Sequence, residues 1–275
     1  MGMEQQSKGR MLQYYAWVAI VIIYLPVLLL PLFSFNDGRY IAFPIRGLTL
    51  KWYIEMFNTP AMHKALWNSI QVAVVTSVLA TAIGIFGAKA VTRYRMPGKG
   101  PVMFIVMLPL VIPTIVFGTS LLIFVRWIGL DLSLFSIIIG HMIICIPFSI
   151  AVLISRFEGF DRALEDAAAD LGVGAAGTFF RVTMPLVWPG VIASVLLCFV
   201  ISFDEFIMAF FLSGSEPTLP VYMYSRMRFP QKLPGVLAMG SLVIMASVVI
   251  LILAEFFRRR GQDRGIVASG TGLGI

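Results

Sequence analysis

Charged side chains are scarce in this sequence of 275 residues. Asp, Glu, Lys and Arg make up 13% of it, against about a quarter in an ordinary soluble protein. Hydrophobic residues account for 59%, and the mean hydropathy is +0.91. So few polar side chains cannot cover a water-facing surface, which excludes a soluble globular fold and predicts a chain that has lipid as its solvent.

Acidic residues are fewer than basic ones, 14 against 21, so the net charge is +7. In a soluble protein this balance suggests nucleic-acid binding. In a membrane protein, however, the excess Lys and Arg collects in cytoplasmic loops. We therefore expect no nucleic-acid partner.

Cysteine and histidine occur only twice each. Cys145 and Cys198 both lie within apolar runs, where a cysteine is usually a small buried hydrophobe rather than half of a disulfide or a metal ligand. The sequence thus predicts neither a metal site nor a catalytic centre on this chain.

Long apolar runs are what the sequence does contain. A helix of about 20 apolar residues crosses a bilayer core of about 30 Å, because its backbone groups bond within the segment. The runs are continuous rather than alternating, which indicates helices and not a β-barrel. Six stretches meet the requirement: Leu12–Phe35, Ser69–Ala90, Val102–Val125, Leu134–Ile154, Leu186–Leu212 and Val236–Phe257.

The six runs predict an all-α membrane protein with a six-span domain over residues 1–260. Residues 261–275 are Gly-rich without a hydrophobic period, and we expect a flexible cytoplasmic tail there. Pro109 and Pro113 in the third run should kink it. In the second run Thr76, Ala80, Gly84 and Ala88 recur every fourth residue, which predicts a smooth face for close helix packing.

The distribution of basic residues predicts the orientation. With the N-terminus in the cytoplasm, 13 of the 21 Lys and Arg fall on the cytoplasmic side and 8 outside. Because basic residues near span ends favour the cytoplasm, both termini are expected there. The main contributors are Lys89, Arg93, Arg95 and Lys99 after the second run, and Arg258, Arg259, Arg260 and Arg264 after the sixth.

The cytoplasmic loop 155–185 differs in composition from the rest of the chain. Its first part has the apolar residues Ala163, Leu164, Ala167, Ala168 and Leu171 at helical spacing, with acidic residues opposite. Asp161 is a candidate N-cap and Gly172 a candidate stop. A second short helix is expected over 175–182, ended by Pro185. Helices this short are marginal in water, so they pack either on the spans or on a partner.

This loop resembles the signature of the integral-membrane permeases of binding-protein-dependent ABC importers. That signature reads E-A-A, three residues, Gly, nine residues, I-x-L-P, and every spacing is kept here. The matching residues are Asp166, Ala167, Ala168 and Gly172, followed by Val182, Thr183, Met184 and Pro185. The chain departs from the pattern with Asp for Glu, Val for Ile and Met for Leu.

Weaker similarities point to the spermidine/putrescine type within that family. They extend over nearly the whole chain and include Ser34-Phe35-Asn36, Lys51-Trp52-Tyr53, Arg93-Tyr94-Arg95 and Leu219-Pro220. The segment containing Lys51 is also amphipathic over Leu50–Phe57, as expected for a helix lying at the membrane interface.

The resemblance implies that the loop forms a coupling helix docked in a groove of a cytoplasmic ATPase. It also implies two ATPase subunits that hold ATP and Mg²⁺, a second permease, an extracytoplasmic binding protein and a location in the bacterial inner membrane. Within the loop, Ala167 and Ala168 would allow close approach, Gly172 would set the bend and Asp166 would meet a basic residue. The full set of coupling residues on this basis is Glu165, Asp166, Ala167, Ala168, Gly172, Met184 and Pro185.

Asp204 and Glu205 are adjacent acids within the fifth run, an expensive placement in lipid that marks a functional candidate. Similar polyamine permeases carry a paired acid at this point, which implies a role in the path of a cationic substrate. Both carboxylates could reach one cavity, or one could bond a neighbouring helix instead. Snorkelling to the outer headgroups or pairing with a partner's basic residue are the purely structural alternatives.

Two other functions have weaker support in the sequence. Gly172, Gly174 and Gly177 satisfy G-x-G-x-x-G, but an acidic helix precedes them instead of the buried strand that a dinucleotide site needs. No P-loop motif occurs, so ATP hydrolysis is expected on another chain. An intramembrane hydrolase would need Ser120 or Ser149 as nucleophile with His141 as base, and no G-x-S-G supports it.

The sequence thus predicts a non-enzymatic permease subunit for a polyamine or a similar small organic cation. An importer of an amino acid, a sulfonate, thiamine or a metal complex is the alternative within the same class. The substrate depends largely on the binding protein, which this chain does not contain.

Overall fold

Helices form nearly all of the described chain. The computed structural model describes residues 2–38, 44–45, 47–95 and 97–270, with side chains described between residues 13 and 257 of those ranges. An isolated antiparallel bridge joins Asn36 to Leu48. The α-helices are α1 (Gly2–Ser34), α2 (Lys51–Phe57), α3 (Pro60–Arg93), α4 (Lys99–Met107), α5 (Thr114–Trp127), α6 (Leu134–Glu158), α7 (Ala163–Asp170), α8 (Ala175–Thr178), α9 (Met184–Asp204), α10 (Ile207–Leu212), α11 (Leu219–Met227) and α12 (Leu233–Gly270).

Five of the six predicted spans are present as apolar helices long enough to cross a bilayer, and the third is present as a bent pair of shorter helices. Five are single helical stretches: 13–34, 60–93, 134–158, 175–204 and 230–257. The remaining span, which is the third in chain order, consists of Lys99–Leu110 and Thr114–Trp127, and these two pieces meet at 96°. The predicted all-α membrane fold is confirmed, and α2 covers the predicted amphipathic segment.

The third span is not the continuous helix predicted over Val102–Val125. After a 3-10 turn at Leu108–Leu110 the helix stops, and it restarts at Thr114. Pro113 explains the break, because it has no N–H to donate and its ring disfavours helical geometry at the residue before it. The predicted kink is therefore a full interruption.

The fifth span is also interrupted where the sequence predicts continuity over Leu186–Leu212. Helix α9 ends at Asp204, Glu205 is extended at φ −70° and ψ 114°, and α10 begins at Ile207. At its other end α9 continues back through a π turn at Phe179–Thr183 into α8, so the separate helix expected over 175–182 is wrong. The wider π turn gives the ring of Pro185 room against the preceding turn.

Helix α12 extends to Gly270, beyond the sixth predicted run. Residues 261–270 are therefore helical rather than irregular, because extending an existing helix costs far less than starting one. Residues 271–275 and the side chains of Arg258, Arg259, Arg260 and Arg264 lie outside the described part, and the flexibility of the tail stays a prediction.

The described chain divides into two compact units. One contains the residues up to His63 with Met223–Ala246, and the other contains Lys64–Tyr222 with the residues from Ser247. In the first unit, two of the motifs that carry the resemblance contact each other. Ser34 Oγ lies 2.6 Å from the Tyr53 hydroxyl, and Trp52 Nε1 donates to the carbonyl of Asn36 at 2.8 Å.

The second unit is built on α3, α6 and α9. The predicted small-residue face of α3 is buried, and a Cβ added at Gly84 would lie 2.8 Å from Ser149 Cβ on α6. Near it Thr81 Oγ1 and Ser194 Oγ lie 3.1 Å apart, and Ser194 donates to Ser149 at 2.8 Å. Next to these hydrogen-bonded hydroxyl groups, an apolar cluster forms the core of the unit: Ile85, Ala88, Leu153, Phe157, Phe179, Val187 and Val191.

Candidate functional site

Helix α7 forms as the loop sequence predicts. Asp161 Oδ1 accepts a hydrogen bond from the backbone N–H of Ala163 at 2.9 Å, which satisfies a donor at the helix start. After Asp170 the chain turns through Gly172, whose φ of +78° lies in the left-handed region where glycine is favoured. The predicted stop is confirmed, whereas the N-cap position is Arg162, one residue after the predicted Asp161, whose carboxylate still bonds the first N–H of the helix.

Glu165 fastens α7 to the rest of the second unit. Its Oε2 lies 2.7 Å from Arg93 Nε at the end of α3, and its Oε1 accepts from Thr183 Oγ1 at 2.5 Å. The Glu165 and Arg93 side chains are only 14% and 12% exposed. The Arg93 guanidinium also lies over the ring of Phe160, 4.4 Å from its centroid. One carboxylate thus joins α7, α3 and the turn that begins α9.

These contacts were not predicted from the sequence, because Arg93 and Thr183 are distant from Glu165 along the chain. Arg93 appeared only as an orienting charge and as part of a weak family similarity. A basic residue at the end of α3 and an acid in α7, with three α-helices between them in the chain, carry no pairing signal on their own.

The face of α7 opposite Glu165 is apolar and exposed, and so are the nearby residues Leu171 and Phe180. Leu164 is 46% exposed, Phe180 67% and Leu171 84%, and Ala167 is exposed beside them. Asp166 is also exposed, with its Oδ1 3.9 Å from Arg162 Nε. Ala168 is buried within the chain, so of the two alanines only Ala167 is available to a partner. We define Leu164, Ala167, Leu171 and Phe180 as the loop face.

The remaining predicted coupling residues lie at the start of α9. Met184 is half-buried and packs against the core cluster of α3, α6 and α9, whereas Pro185 is exposed. The three glycines at 172, 174 and 177 follow helix α7, as the sequence indicates. This is not the strand-to-helix turn of a dinucleotide site.

Asp204 and Glu205 diverge instead of facing one another. Asp204 Oδ2 accepts from Ser247 Oγ on α12 at 3.2 Å. Glu205 Oε1 accepts from the backbone N–H groups of Ile207 and Met208, at 3.0 and 3.2 Å, and so caps α10. Of the two arrangements that the sequence left open, the structure has one acid bonded to a neighbouring helix and the other at the break.

Glu205 also lines a narrow crevice between α6 and α9. The crevice is too small for a water molecule, and its other lining residues are His141, Ile144, Cys145, Ile201 and Ser202. His141 is 1% exposed, and its Nδ1 lies 2.8 Å from Ser202 Oγ. Its Nε2 is buried without a hydrogen-bond partner among the described residues.

The serine–histidine pairs required by the hydrolase alternative are not formed. His141 is bonded to Ser202, whereas Ser120 donates to the carbonyl of Val116 at 2.8 Å and Ser149 accepts from Ser194. Within the described ranges, no three His, Cys, Asp or Glu side chains are grouped as metal ligands.

A family comparison decides the class of this chain. Residues 80–262 match the model of the binding-protein-dependent transport system inner membrane component, and this stretch includes α7, Gly172 and the Asp204–Glu205 break. The chain belongs to this family. It is therefore a multi-pass permease component of the inner membrane, and its importer class agrees with the signature in the loop.

Named relatives of the permease span almost its full length. It is 32% identical to the spermidine/putrescine transport system permease protein PotC of Escherichia coli (strain K12), over 91% of this chain and 95% of the relative. The PotC of Haemophilus influenzae is 30% identical over 90% and 96%. The putrescine transport system permease protein PotI of Escherichia coli (strain K12) is 29% identical over 90% and 91%.

Solved structures share the fold of the permease. A bacterial ABC transporter involved in the import of the acidic polysaccharide alginate matches with a TM-score of 0.70 at 19% identity, covering 94% of this chain and 99% of its own. A bacterial alginate ABC transporter in complex with alginate pentasaccharide-bound periplasmic protein matches with a TM-score of 0.69 at 17% identity, covering 95% and 99%.

Proposed function

We propose that this permease forms half of the translocation pathway of an ATP-driven importer of polyamines such as spermidine and putrescine. The observation that carries the proposal is the 29–32% identity, over about nine-tenths of the chain, to relatives named for these two substrates. The alginate transporters share only the fold, at 17–19% identity, and so do not bear on the substrate. Another small organic solute is the alternative within this class.

The break between α9 and α10 supports a cationic substrate. Interrupted helices place carboxylates and unpaired backbone carbonyls at membrane depth, where cations are coordinated in transporters. Asp204 is exposed there and Glu205 is half-buried. Two acids at such a break suit a protonated amine, which must exchange its water for other hydrogen-bond acceptors on the way through.

The loop face is the proposed docking site of an ATPase subunit. It carries three large exposed apolar side chains, and the neighbouring Asp166 carboxylate, 67% exposed beside Arg162, can meet a basic residue of the partner groove. Glu165 has a different role in this proposal. Because it is fastened to Arg93 and Thr183, it transmits the movement of α7 to α3 and α9. ATP and Mg²⁺ belong to the ATPase partner.

The complete importer then contains this permease, a second homologous permease, two ATPase subunits and an extracytoplasmic binding protein. Nucleotide-driven closure of the ATPases would rock the permease pair between inward-open and outward-open states. The loop face and both termini lie in the cytoplasm in this arrangement, consistent with the distribution of Lys and Arg.

Affinity purification of the tagged permease from mild detergent tests this assembly. We expect a second permease and an ATPase to copurify, and the complex to hydrolyse ATP faster when its binding protein is loaded with spermidine. Recovery of this chain alone, without ATPase activity, would overturn the assembly. Stimulation by another solute and not by polyamines would overturn the substrate only.

A further inference from the structure

One ring nitrogen of His141 is buried in a crevice that excludes water and has no hydrogen-bond partner among the described residues. Such a group calls for a functional explanation. The side chain is 1% exposed, its Nε2 has no partner among the described residues, and the crevice beside it has no room for water. Leaving a buried donor without an acceptor is costly. If His141 served only to fill space, its replacement by an apolar side chain of similar size would stabilise the protein.

The hydrogen bond to Ser202 determines which proton His141 carries. The hydroxyl of Ser202 has no other acceptor among the described residues, so we assign the bond as Ser202 O–H donating to Nδ1. A neutral imidazole that accepts at Nδ1 carries its proton on Nε2. His141 therefore presents an N–H donor to the crevice.

Among the described residues that line the same crevice, Glu205 alone is charged. One of its oxygens, Oε1, is used by the two backbone N–H groups at the start of α10. Its other oxygen, Oε2, has no hydrogen-bond partner in the described part of the chain. His141, with its unpartnered Nε2, and Glu205, with one oxygen that does not bond α10, thus line one crevice beside the break between α9 and α10.

We propose that His141 is the exchange partner of Glu205 during transport. While the substrate is bound, Glu205 Oε2 accepts from its ammonium group, and when the break shifts, His141 Nε2–H takes the place of the ammonium. This inference rests on the proposed polyamine function. Its physical purpose is release, because a cation held by a carboxylate away from water leaves slowly unless another donor replaces it. His141 is therefore a positioning residue that acts through Glu205.

A double-mutant cycle on the maximal rate of spermidine uptake tests the exchange. Glu205→Gln keeps an oxygen for the cap of α10 and replaces the free oxygen with an amide that cannot accept. We expect His141→Leu to lower the rate about tenfold in the wild-type background, the value for loss of one charge-assisted hydrogen bond, and less than about twofold in the Glu205→Gln background. His141→Gln, which restores a donor, should recover most of the rate.

Two further variants keep the test decisive. Ser202→Ala frees the imidazole to carry its proton on the other nitrogen, so it should lower uptake a few-fold in the wild-type background and not in the Glu205→Gln background. If the His141→Leu variant does not assemble, Ser202→Ala alone tests the exchange at Glu205. Ser194→Ala removes a buried hydroxyl two turns earlier on α9 and should have the same small effect in both backgrounds.

The outcomes separate the two proposals. Equal losses for His141→Leu in both backgrounds, or no recovery with His141→Gln, would overturn the exchange while leaving polyamine import intact. If the wild-type complex imports another solute and no polyamine, the proposed substrate is wrong, and the exchange with an ammonium group is wrong with it.

Discussion

At the scale of single residues, neighbouring acids have different surroundings and should respond differently to substitution. Glu165 and Asp166 are adjacent on α7, yet Glu165 is 14% exposed, ion-paired with Arg93 and hydrogen-bonded to Thr183, whereas Asp166 is 67% exposed and lies 3.9 Å from Arg162. A buried carboxylate with charge-assisted bonds contributes far more to stability than an exposed one in a helical ion pair.

Glu165→Ala is therefore expected to destabilise the permease by about 1–3 kcal/mol, because it leaves the guanidinium of Arg93 without its carboxylate. Asp166→Asn should change the free energy of unfolding by less than about 0.5 kcal/mol. Thermal unfolding of the detergent-solubilised complex measures both. Equal effects of the two variants would contradict the anchoring role of Glu165.

The two acids of the α9–α10 break give the second prediction at this scale. Asp204→Asn and Glu205→Gln both remove a charge while keeping an acceptor for their existing bonds to Ser247 and α10. We expect each to lower polyamine uptake about tenfold or more, because the neutral amide replaces a charge-assisted bond to the substrate.

The amount of assembled complex in the membrane is the control for these variants, and it should stay unchanged. Normal uptake kinetics in both variants would contradict a pathway role and favour a purely structural one, such as snorkelling to the headgroups.

At the scale of elements, the turn after α7 sets the direction in which the loop face points. Gly172 has φ +78° and Gly174 has φ −65°, and no other atom lies within 4 Å of a Cβ added at either position. The two glycines therefore differ in backbone conformation and not in available space. A β-branched residue fits the second conformation and is strained in the first.

Gly172→Val is accordingly expected to separate ATP hydrolysis from transport. Uptake should fall at least tenfold while the complex still inserts, assembles and hydrolyses ATP, because a strained turn moves the loop face relative to α9. Gly174→Val is the matched control and should retain uptake. Measuring uptake and ATPase activity on the same preparations checks this, and unchanged uptake in Gly172→Val would refute it.

Breaks in the spans are the elements that sequence patterns describe least well. The third and fifth runs are as apolar as the others, and hydropathy alone predicts continuous helices. Pro113 gives a local reason for the first interruption. The second has no proline, and Glu205 is extended there because its carboxylate bonds the backbone N–H groups of α10.

At the scale of the whole molecule, the orientation in the membrane is testable with exposed loop positions. Asp131 lies between the third and fourth spans with its side chain 99% exposed, and Asp161 lies between the fourth and fifth and is also exposed. The native cysteines, Cys145 and Cys198, are buried and should not interfere.

We expect Asp131→Cys to react with a membrane-impermeant maleimide in intact cells, and Asp161→Cys to react only after permeabilisation. The distribution of Lys and Arg predicts that the loop containing Asp131 lies outside and that the loop containing Asp161 lies inside. The reverse labelling would mean that the loop face cannot meet a cytoplasmic ATPase, and it would overturn the proposed assembly.

The sequence by itself determined the class, the apolar runs that form the spans, the position of α7 and the turn at Gly172 that follows it. These depend on hydropathy, helical spacing and local backbone preferences, which act over a few residues. Only the tertiary structure decided that Glu165 is an anchor, that Ala168 is buried, and that His141 and Glu205 line one crevice. The contacts of Glu165 with Thr183 and Arg93, and the crevice shared by His141 and Glu205, join residues 18 to 72 positions apart along the chain. Contacts over such separations follow from how helices pack, which no local pattern encodes.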